Sequence, residues 1–148
     1  MSKLDSEPPT LHSRRTLDLQ YNIPISKTNQ FFESLKEGKF TTTKCKDCGE
    51  ISFPPQADCP RCMSSNSEWV ELGTDAELVT FTHVVVTPTS FVGSGPYYVA
   101  LGRLGQGPKV LAWVEAGPSE QLKPGMKLRL EVRRYSGGSP YYVFVIAK

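Results

Sequence analysis

The chain has 148 residues, of which 39% are apolar and 22% charged, a composition that excludes an intrinsically disordered protein. Its 17 basic and 15 acidic residues leave a formal net charge of +2, and this near-balance argues against a dedicated nucleic-acid-binding protein. Twelve glycines and twelve prolines favour a β-rich chain with many turns over a helical bundle.

The N-terminal segment, residues 1–24, predicts a flexible polar arm, because chain termini of this kind are usually poorly ordered. Residues 1–19 contain no apolar run of about seven residues, so no secretory signal is expected. No stretch approaches the roughly twenty apolar residues that span a membrane. Unless the chain is cut from a longer precursor, these features predict a cytoplasmic protein, in which paired cysteines more often bind metal than form disulfides.

Residues 25–39 predict an amphipathic docking helix of about three turns. Ser26 suits the N-cap, and Gly38 suits the position after the helix where the chain turns left-handed. The apolar face is formed by residues that lie one, three or four positions apart: Phe31, Phe32, Leu35. We expect this face to pack on the module that follows, and the alternative is that the adjacent phenylalanines contact a partner protein.

Segment 40–72 contains all four cysteines, in two C-x-x-C pairs with ten residues between them: Cys45, Cys48, Cys59, Cys62. Two residues between thiolates let one tight turn present both sulfurs to an ion, and two such turns complete a tetrahedral site. Four protein sulfurs leave no open position, so the ion would be structural rather than catalytic. Zinc is the preferred interpretation, with iron, and disulfides or free thiols, as alternatives. Met63 stands where rubredoxins usually have glycine, which favours zinc over iron.

Residues 73–148 predict a mainly β domain of five strands. Their β-branched and alternating runs cover residues 77–87, 97–104, 109–115, 127–135 and 141–147. Five strands are too few for an immunoglobulin sandwich, and they fit a small closed barrel of the OB type. Segment 118–126 lies where OB barrels carry a helix or a shortened replacement for it.

Catalytic groups are scarce in this sequence. Metal binding would occupy every cysteine, His12 falls in the arm, and His83 lies in a strand, where histidine more often packs than catalyses. The chain lacks a G-x-S-x-G elbow, a phosphate-binding glycine loop before a helix and an H-E-x-x-H motif. We therefore expect a protein without a self-sufficient active site.

Several segments together closely resemble one family of proteins. They are FFESLKEGKF (31–40), TKCKDCGEISFPPQADCPRC (43–62), WVEL (69–72), PYYVALGRL (96–104) and LKPGMKLRLEV (122–132). The family joins a zinc ribbon to an OB-fold domain and is long catalogued as domain of unknown function number thirty-five. The resemblance runs from about residue 25 to residue 148, and the four cysteines match the family's ribbon ligands one for one.

The resemblance implies a mainly β protein with an N-terminal helix, a rubredoxin-like zinc ribbon and a five-stranded OB-fold barrel. It also implies a non-catalytic, accessory role in acyl-CoA and lipid metabolism. Family members are typically partners of thiolase-fold enzymes or hot-dog-fold enoyl-CoA hydratases, where they bridge subunits and help to hold or pass the acyl-CoA. A structural zinc ion and such an enzyme partner are therefore expected.

Charge suggests which residues could contact acyl-CoA. Residues 73–148 carry eight basic and five acidic side chains, a local excess of +3. Coenzyme A phosphates suit arginine donors, whereas its adenine and acyl arm suit aromatic or apolar surfaces. The candidates are Arg129, Arg133, Phe91, Tyr97, Tyr98 and Trp113. For any single candidate, the preferred interpretation is still a solvated strand face or a packed core residue.

Two other functions fit parts of the sequence. Zinc ribbons and OB barrels both commonly bind single-stranded nucleic acid, although the weak basic excess argues against that function. An iron ion in the four-sulfur site would indicate electron transfer instead. The leading hypothesis is a zinc-binding accessory subunit of an acyl-CoA enzyme complex built on a thiolase-like acyltransferase.

Overall fold

A computed structural model describes residues 20, 22–86, 95–105, 107–117, 121–136 and 138–147. Within these ranges the chain forms one helix, α1 (Asn29–Lys36), and eight strands. The first three strands are β1 (Thr41–Cys45), β2 (Ile51–Ser52) and β3 (Ser67–Glu71). The other five are β4 (Asp75–Val84), β5 (Tyr97–Leu104), β6 (Lys109–Glu115), β7 (Lys127–Arg134) and β8 (Pro140–Ile146). The protein is therefore mainly β, with an N-terminal helix, as predicted.

The last five strands close into a barrel with the order β4-β5-β6-β8-β7, and β7 pairs back onto β4. All neighbours are antiparallel except β6 and β8, which run parallel, with Trp113 beside Val143. This arrangement confirms the predicted OB-type barrel. Residues 121–126 form a turn at Pro124 and Gly125 rather than a helix, and residues 118–120 lie outside the described part of the chain.

Strands β5 and β6 have the predicted ends, β7 and β8 differ from the prediction by one residue at one or both ends, and β4 differs most. The strand expected at 77–87 runs from Asp75 to Val84, its register shifts between Leu78 and Thr80, and residue 87 lies outside the described residues. Val84 pairs with Tyr97, which is the first residue of β5. The apolar residues after Val84 therefore lie beyond the start of the strand that pairs with β4. Val85 and Val86 are consequently exposed.

The barrel interior is organised around the ring of Phe144, which is fully buried. Gly102 on β5 lies directly against this ring, since a Cβ atom added at Gly102 would be 2.5 Å from Cζ of Phe144. A contact that short cannot exist without displacing the ring or the strand. Glycine at this position is therefore a packing requirement, which the strand pattern did not reveal.

The cysteine segment contains a three-stranded antiparallel sheet with the order β2-β1-β3. Two buried threonines of β1 connect it to the loop that follows β2. The Thr42 hydroxyl donates to the carbonyl of Ser52, while the Thr43 hydroxyl donates to the carbonyl and accepts from the N–H of Gln56, both at 3.0 Å. These bonds hold β1 against β2 and against the loop that follows it.

Helix α1 begins later than predicted. Residues 25–28 form a separate turn, in which the N–H of Thr28 donates to the carbonyl of Ile25 at 2.8 Å. Thr28 then occupies the N-cap without a capping bond from its side chain, so the assignment of Ser26 to the N-cap was wrong. In the described part of the chain, no helix is long and apolar enough to cross a membrane.

The end of the helix follows the prediction. Gly38 has a φ of +80°, and its N–H donates to the carbonyl of Leu35 at 3.0 Å. The N–H of Lys39 donates to the carbonyl of Ser34 at 2.9 Å. Together with the bond from Gly38, it forms the Schellman motif that ends many helices. The barrel adds a further bond, because Nη2 of Arg134 donates to the carbonyl of Lys36 at 2.6 Å.

A group of rings, here called the aromatic joint, connects helix, ribbon and barrel: Phe31, Phe40, Phe53, Tyr142. Phe31 of the helix and Phe53 of the ribbon segment are 5.6 Å apart, and Tyr142 of β8 lies 5.5 Å from Phe53. All contacts are edge-to-face, the favourable geometry for aromatic pairs. Burial raises the pKa of Tyr142.

The joint decides between the two interpretations of the helix. Phe31 and Leu35 are buried in the same core cluster as the barrel interior, which confirms that the helix packs on the modules that follow. Phe32 stays 38% exposed, so it does not belong to the buried face.

We expect Gly102→Ala to lower the free energy of unfolding by about 1–3 kcal/mol, because the added methyl group overpacks the Phe144 site. Urea unfolding followed by circular dichroism measures the change. Gly73→Ala is the control, since no atom lies within 4 Å of a Cβ there, and it should lose less than about 0.5 kcal/mol. Combining Gly102→Ala with Phe144→Leu should cost less than the sum of the two single changes. An additive double variant would contradict the direct contact.

Candidate metal centre

The four cysteine sulfurs converge on one point in the ribbon. All four Sγ atoms lie within 4.8 Å of one another, and Cys45 to Cys62 and Cys48 to Cys59 are each separated by 3.5 Å. Zinc–sulfur bonds of about 2.3 Å in a tetrahedron would set the sulfurs about 3.8 Å apart. The donor set therefore has the size and shape that a four-sulfur metal ion requires.

The first cysteine pair lies in a tight turn after β1. The N–H of Cys45 donates to the carbonyl of Glu50 at 2.8 Å, and the N–H of Gly49 donates back to the carbonyl of Cys45 at 3.0 Å. These two bonds bend the backbone around the sulfurs. The turn is thus held by the main chain.

The second pair repeats the same pattern. The N–H of Cys59 donates to the carbonyl of Ser64 at 2.8 Å, and the N–H of Met63 donates back to the carbonyl of Cys59 at 2.9 Å. Met63 therefore occupies the position that Gly49 has in the first turn, and their φ angles are +62° and +76°. Because Met63 takes the conformation usually given to glycine, the backbone at this position does not distinguish zinc from iron.

The electrostatics of the cluster favour a bound cation. The backbone N–H of Cys62 points at the Cys59 sulfur and is the main cause that lowers the pKa of Cys59 to about 7. The N–H of Ser64 also stabilises the Cys62 thiolate, but contacts with the sulfurs of Cys48 and Cys45 outweigh it and raise the pKa of Cys62 to about 12. Four thiolates this close ionise together only when a positive ion balances their charge.

A polar network outside the sulfurs joins the two turns. The Asp47 carboxylate accepts from the hydroxyl of Ser64 and, at 2.8 Å, from the side-chain amide of Asn66. Both bonds lower the pKa of Asp47, and the bond from Ser64 has the larger effect. The N–H of Lys46 also donates to the carbonyl of Asn66 at 2.9 Å. Sequence reasoning missed this network, because ordinary turn residues carry no spacing signal that marks them as supports.

The aromatic residues predicted to contact acyl-CoA form two stacked pairs on the barrel. Tyr97 stacks on Trp113 with ring centroids 4.7 Å apart, and Tyr98 stacks on His83 at 4.4 Å. His83, Tyr97 and Tyr98 line part of a concave site of about 430 Å³. Phe91 lies outside the described residues.

The two predicted arginines have different surroundings. Nη2 of Arg133 donates to the Glu115 carboxylate at 2.7 Å, and Nη1 donates to the Glu131 carboxylate at 2.8 Å. Both bonds raise the pKa of Arg133, and the bond to Glu115 has the larger effect. A phosphate would have to displace these two carboxylates. Arg129 is more exposed and lies 3.6 Å from the Asp75 carboxylate.

The structure does not gather these candidates into one site. Arg129 pairs with Asp75 at the start of β4, whereas Tyr97 pairs with Val84 at its end. Nine steps along β4 lie between those positions, which is at most about 30 Å because the strand carries a register shift between Leu78 and Thr80. A single coenzyme A contact formed by Arg129 and Tyr97 together would have to span that length.

Comparison with known proteins agrees with this architecture. Residues 32–68 match the family described as the ChsH2 rubredoxin-like zinc ribbon domain, and residues 69–133 match the ChsH2 C-terminal OB-fold domain. The two matches are contiguous and together cover more than half of the chain.

Curated relatives cover similar parts of the chain. A DUF35 domain-containing scaffold protein of Pyrococcus furiosus is 34% identical over 91 residues, which are 62% of this chain and 66% of the relative. A protein of the same description from Methanocaldococcus jannaschii is 28% identical over 62% of this chain and 65% of its own. A probable enoyl-CoA hydratase alpha subunit of Thermomonospora curvata is 26% identical over 72% of this chain and 34% of its own. The chain thus spans just under two thirds of the first two relatives and about one third of the third.

Two solved structures share the fold. A structure titled Ltp2-ChsH2(DUF35) aldolase superposes with a TM-score of 0.72 at 22% identity, covering 87% of this chain and all of the other. A DUF35-family protein of unknown function from Sulfolobus solfataricus superposes with a TM-score of 0.58 at 24% identity, covering 80% and 84%. At these identities the likeness shows the fold alone.

We expect Met63→Gly to stabilise the metal-loaded protein by about 1 kcal/mol, because glycine removes the steric cost of the left-handed conformation. The Met63 side chain is 78% exposed, so little packing is lost with it. The reciprocal change, Gly49→Met, should destabilise by a similar amount. Thermal unfolding of metal-loaded protein measures both, and a lower melting temperature for Met63→Gly would contradict the strain argument.

Proposed function

This chain belongs to the ChsH2 family of zinc-ribbon and OB-fold proteins, and on that premise we propose that it is a non-catalytic, zinc-binding scaffold subunit of an acyl-CoA enzyme complex. The partner would be a thiolase-like acyltransferase or an enoyl-CoA hydratase and would supply the catalytic groups. This chain would supply a docking surface and one wall of the path that acyl-CoA follows.

The aromatic joint is the observation that carries the scaffold role. Rings from the helix, the ribbon and the barrel contact one another directly at centroid distances of 5.5–6.3 Å. A scaffold must keep the surfaces that it presents to other subunits in a constant orientation. Direct contact between the three parts meets that requirement, whereas modules joined by a flexible linker would move independently.

The relatives support the proposal in two ways. Two archaeal relatives are described as scaffold proteins, and a third is described as the alpha subunit of a probable enoyl-CoA hydratase. The best-defined site of this chain is a four-sulfur cluster that leaves no position open for a substrate. Such a site suits a subunit that holds or positions an enzyme. The acyl-CoA part of the proposal rests on the hydratase relative and on the exposed barrel surface.

Zinc fits the four sulfurs and would act structurally. Cys45, Cys48, Cys59 and Cys62 would all be ligands, which leaves no position for substrate. When bound, the ion would hold the two turns together. The backbone N–H groups of Cys62 and Ser64 would stabilise the thiolates of Cys59 and Cys62.

Two tryptophans allow the effect of zinc to be located. Trp69 lies in ribbon strand β3 and Trp113 in barrel strand β6. We expect elemental analysis to give one zinc per chain, and chelation to shift Trp69 emission to the red in a Trp113→Phe variant. In the matched Trp69→Phe variant, the Trp113 emission should remain, because β6 is paired on both sides within the closed barrel and none of its partners is a ribbon strand. A coloured protein that contains iron would contradict the zinc assignment and favour electron transfer.

Acyl-CoA would contact the barrel through exposed side chains. Tyr97 and Trp113 offer a stacking surface, which acyl-CoA would share with the partner enzyme where the two meet, and Arg129 offers a cation at the other end of the barrel. The ion pairs of Arg133 with Glu115 and Glu131 oppose a direct phosphate contact there. Arg129 is therefore the stronger of the two arginine candidates.

Purification of the tagged full chain from its native cells tests the scaffold role. We expect recovery of a thiolase-like acyltransferase or an enoyl-CoA hydratase in a fixed ratio to the chain, and a higher melting temperature of the complex with coenzyme A. Arg129→Ala should reduce that coenzyme A shift, whereas Lys123→Ala, another exposed cation, serves as the control. Recovery of the chain alone, with no effect of coenzyme A, would contradict the proposed function.

A further inference from the structure

The outer surface of strands β5 and β6 carries a row of five apolar side chains, here called the outer stripe: Tyr97, Val99, Leu101, Leu111, Trp113. The register pairs Leu101 with Leu111 and Val99 with Trp113, so these side chains share one face of the sheet. Ala100 and Ala112, which alternate with them, are buried in the barrel. The outer stripe is therefore outside the core that folding requires.

Two of the five side chains of the outer stripe are exposed, and the other three are half-buried. Leu111 is 63% exposed and Trp113 is 37% exposed, whereas Tyr97, Val99 and Leu101 are half-buried and Tyr97 stacks on the indole ring. Scattered apolar residues are common on protein surfaces, but a contiguous group on adjacent strands indicates an interaction site. Tryptophan and tyrosine also contribute most strongly to binding energy at protein interfaces.

Polar groups border the outer stripe along β4 and at the end of β6. On the β4 side, Thr80 pairs with Leu101 and Thr82 pairs with Val99. At the end of β6, the Glu115 carboxylate accepts from Arg133 at 2.7 Å, whereas on the β8 side Trp113 lies beside the buried Val143. An apolar centre with a polar border is the usual organisation of a protein–protein interface.

One end of the outer stripe is positively charged. Arg103 and Lys109 face each other across β5 and β6, and neither forms an ion pair with any other described residue. Glu77 lies opposite Arg103 on β4, but its carboxylate is 3.4 Å from the ammonium of Lys127. A complementary surface would therefore bring carboxylates to this end.

The charges also distinguish a different protein from a second copy of this chain. If the outer stripes of two copies met with their cationic ends side by side, Arg103 and Lys109 of one copy would repel the same two residues of the other. If they met in opposite directions, these cations would face Glu115, whose charge Arg133 already neutralises. Neither arrangement places free carboxylates against these cations, whereas a partner with an acidic surface does.

We propose that the outer stripe is the surface on which this chain binds its acyl-CoA enzyme, through an apolar patch on that enzyme bordered at one end by carboxylates. This inference rests on the proposed scaffold function and adds the location and chemistry of the interface. Leu111 and Trp113 are its centre, and Arg103 and Lys109 direct the orientation.

The experiment uses the enzyme recovered with the full chain as the binding probe. We expect Leu111→Asp to raise the dissociation constant at least about tenfold, because it places a charge in the centre of the interface. Ile23→Asp is the matched control, since it makes the same kind of change at an exposed aliphatic residue that precedes helix α1, and it should change affinity less than about threefold. The double change Arg103→Glu with Lys109→Glu should slow association and weaken its dependence on salt.

A photo-crosslinking amino acid at position 111 identifies the occupant directly. We expect a cross-link to the acyl-CoA enzyme in native cells. A cross-link to a second copy of the chain, or unchanged enzyme binding by Leu111→Asp, would overturn the inference while the scaffold function stands. If the wild-type chain recovers no acyl-CoA enzyme at all, the proposed function fails and the inference fails with it.

Discussion

Contact of the aromatic joint with the barrel core is the interaction on which the rest of the structure depends. Tyr142 lies two residues before Phe144 on β8, so both side chains lie on the same face of the strand. Phe144 fills the barrel interior, and Tyr142 contacts the helix and the ribbon. The buried residues of helix and barrel consequently form one continuous cluster. Disturbing β8 would therefore affect the barrel and the orientation of the modules together.

The ribbon is stabilised in a different way from the barrel. Its sheet has few buried apolar side chains, and it is held by threonine hydroxyls, paired backbone bonds and the convergence of four sulfurs. A module of this kind gains much of its folding free energy from a bound metal. The two modules therefore respond differently to loss of the ion, although the aromatic joint connects them.

Much of the fold could be predicted from local patterns, because alternation and turn residues act over a few positions. The spacing placed β5 and β6 correctly at both ends, and Gly38 correctly marked the end of the helix. The ribbon strands were missed because β1 is a polar threonine run without alternating apolar residues. The packing role of Gly102 was missed because its partner, Phe144, is 42 residues away in the chain.

The sequence by itself determined the four-cysteine cluster, the strand-rich barrel and which side chains share a strand face, since these follow from spacing along the chain. Only the tertiary structure decided which face is covered and which charges meet. It paired Arg133 with Glu115 from another strand, and it left Leu111 exposed although Val110 beside it is fully buried. The physical reason is that alternation separates two faces of a strand, whereas burial and ion pairing depend on neighbours that are distant in the chain.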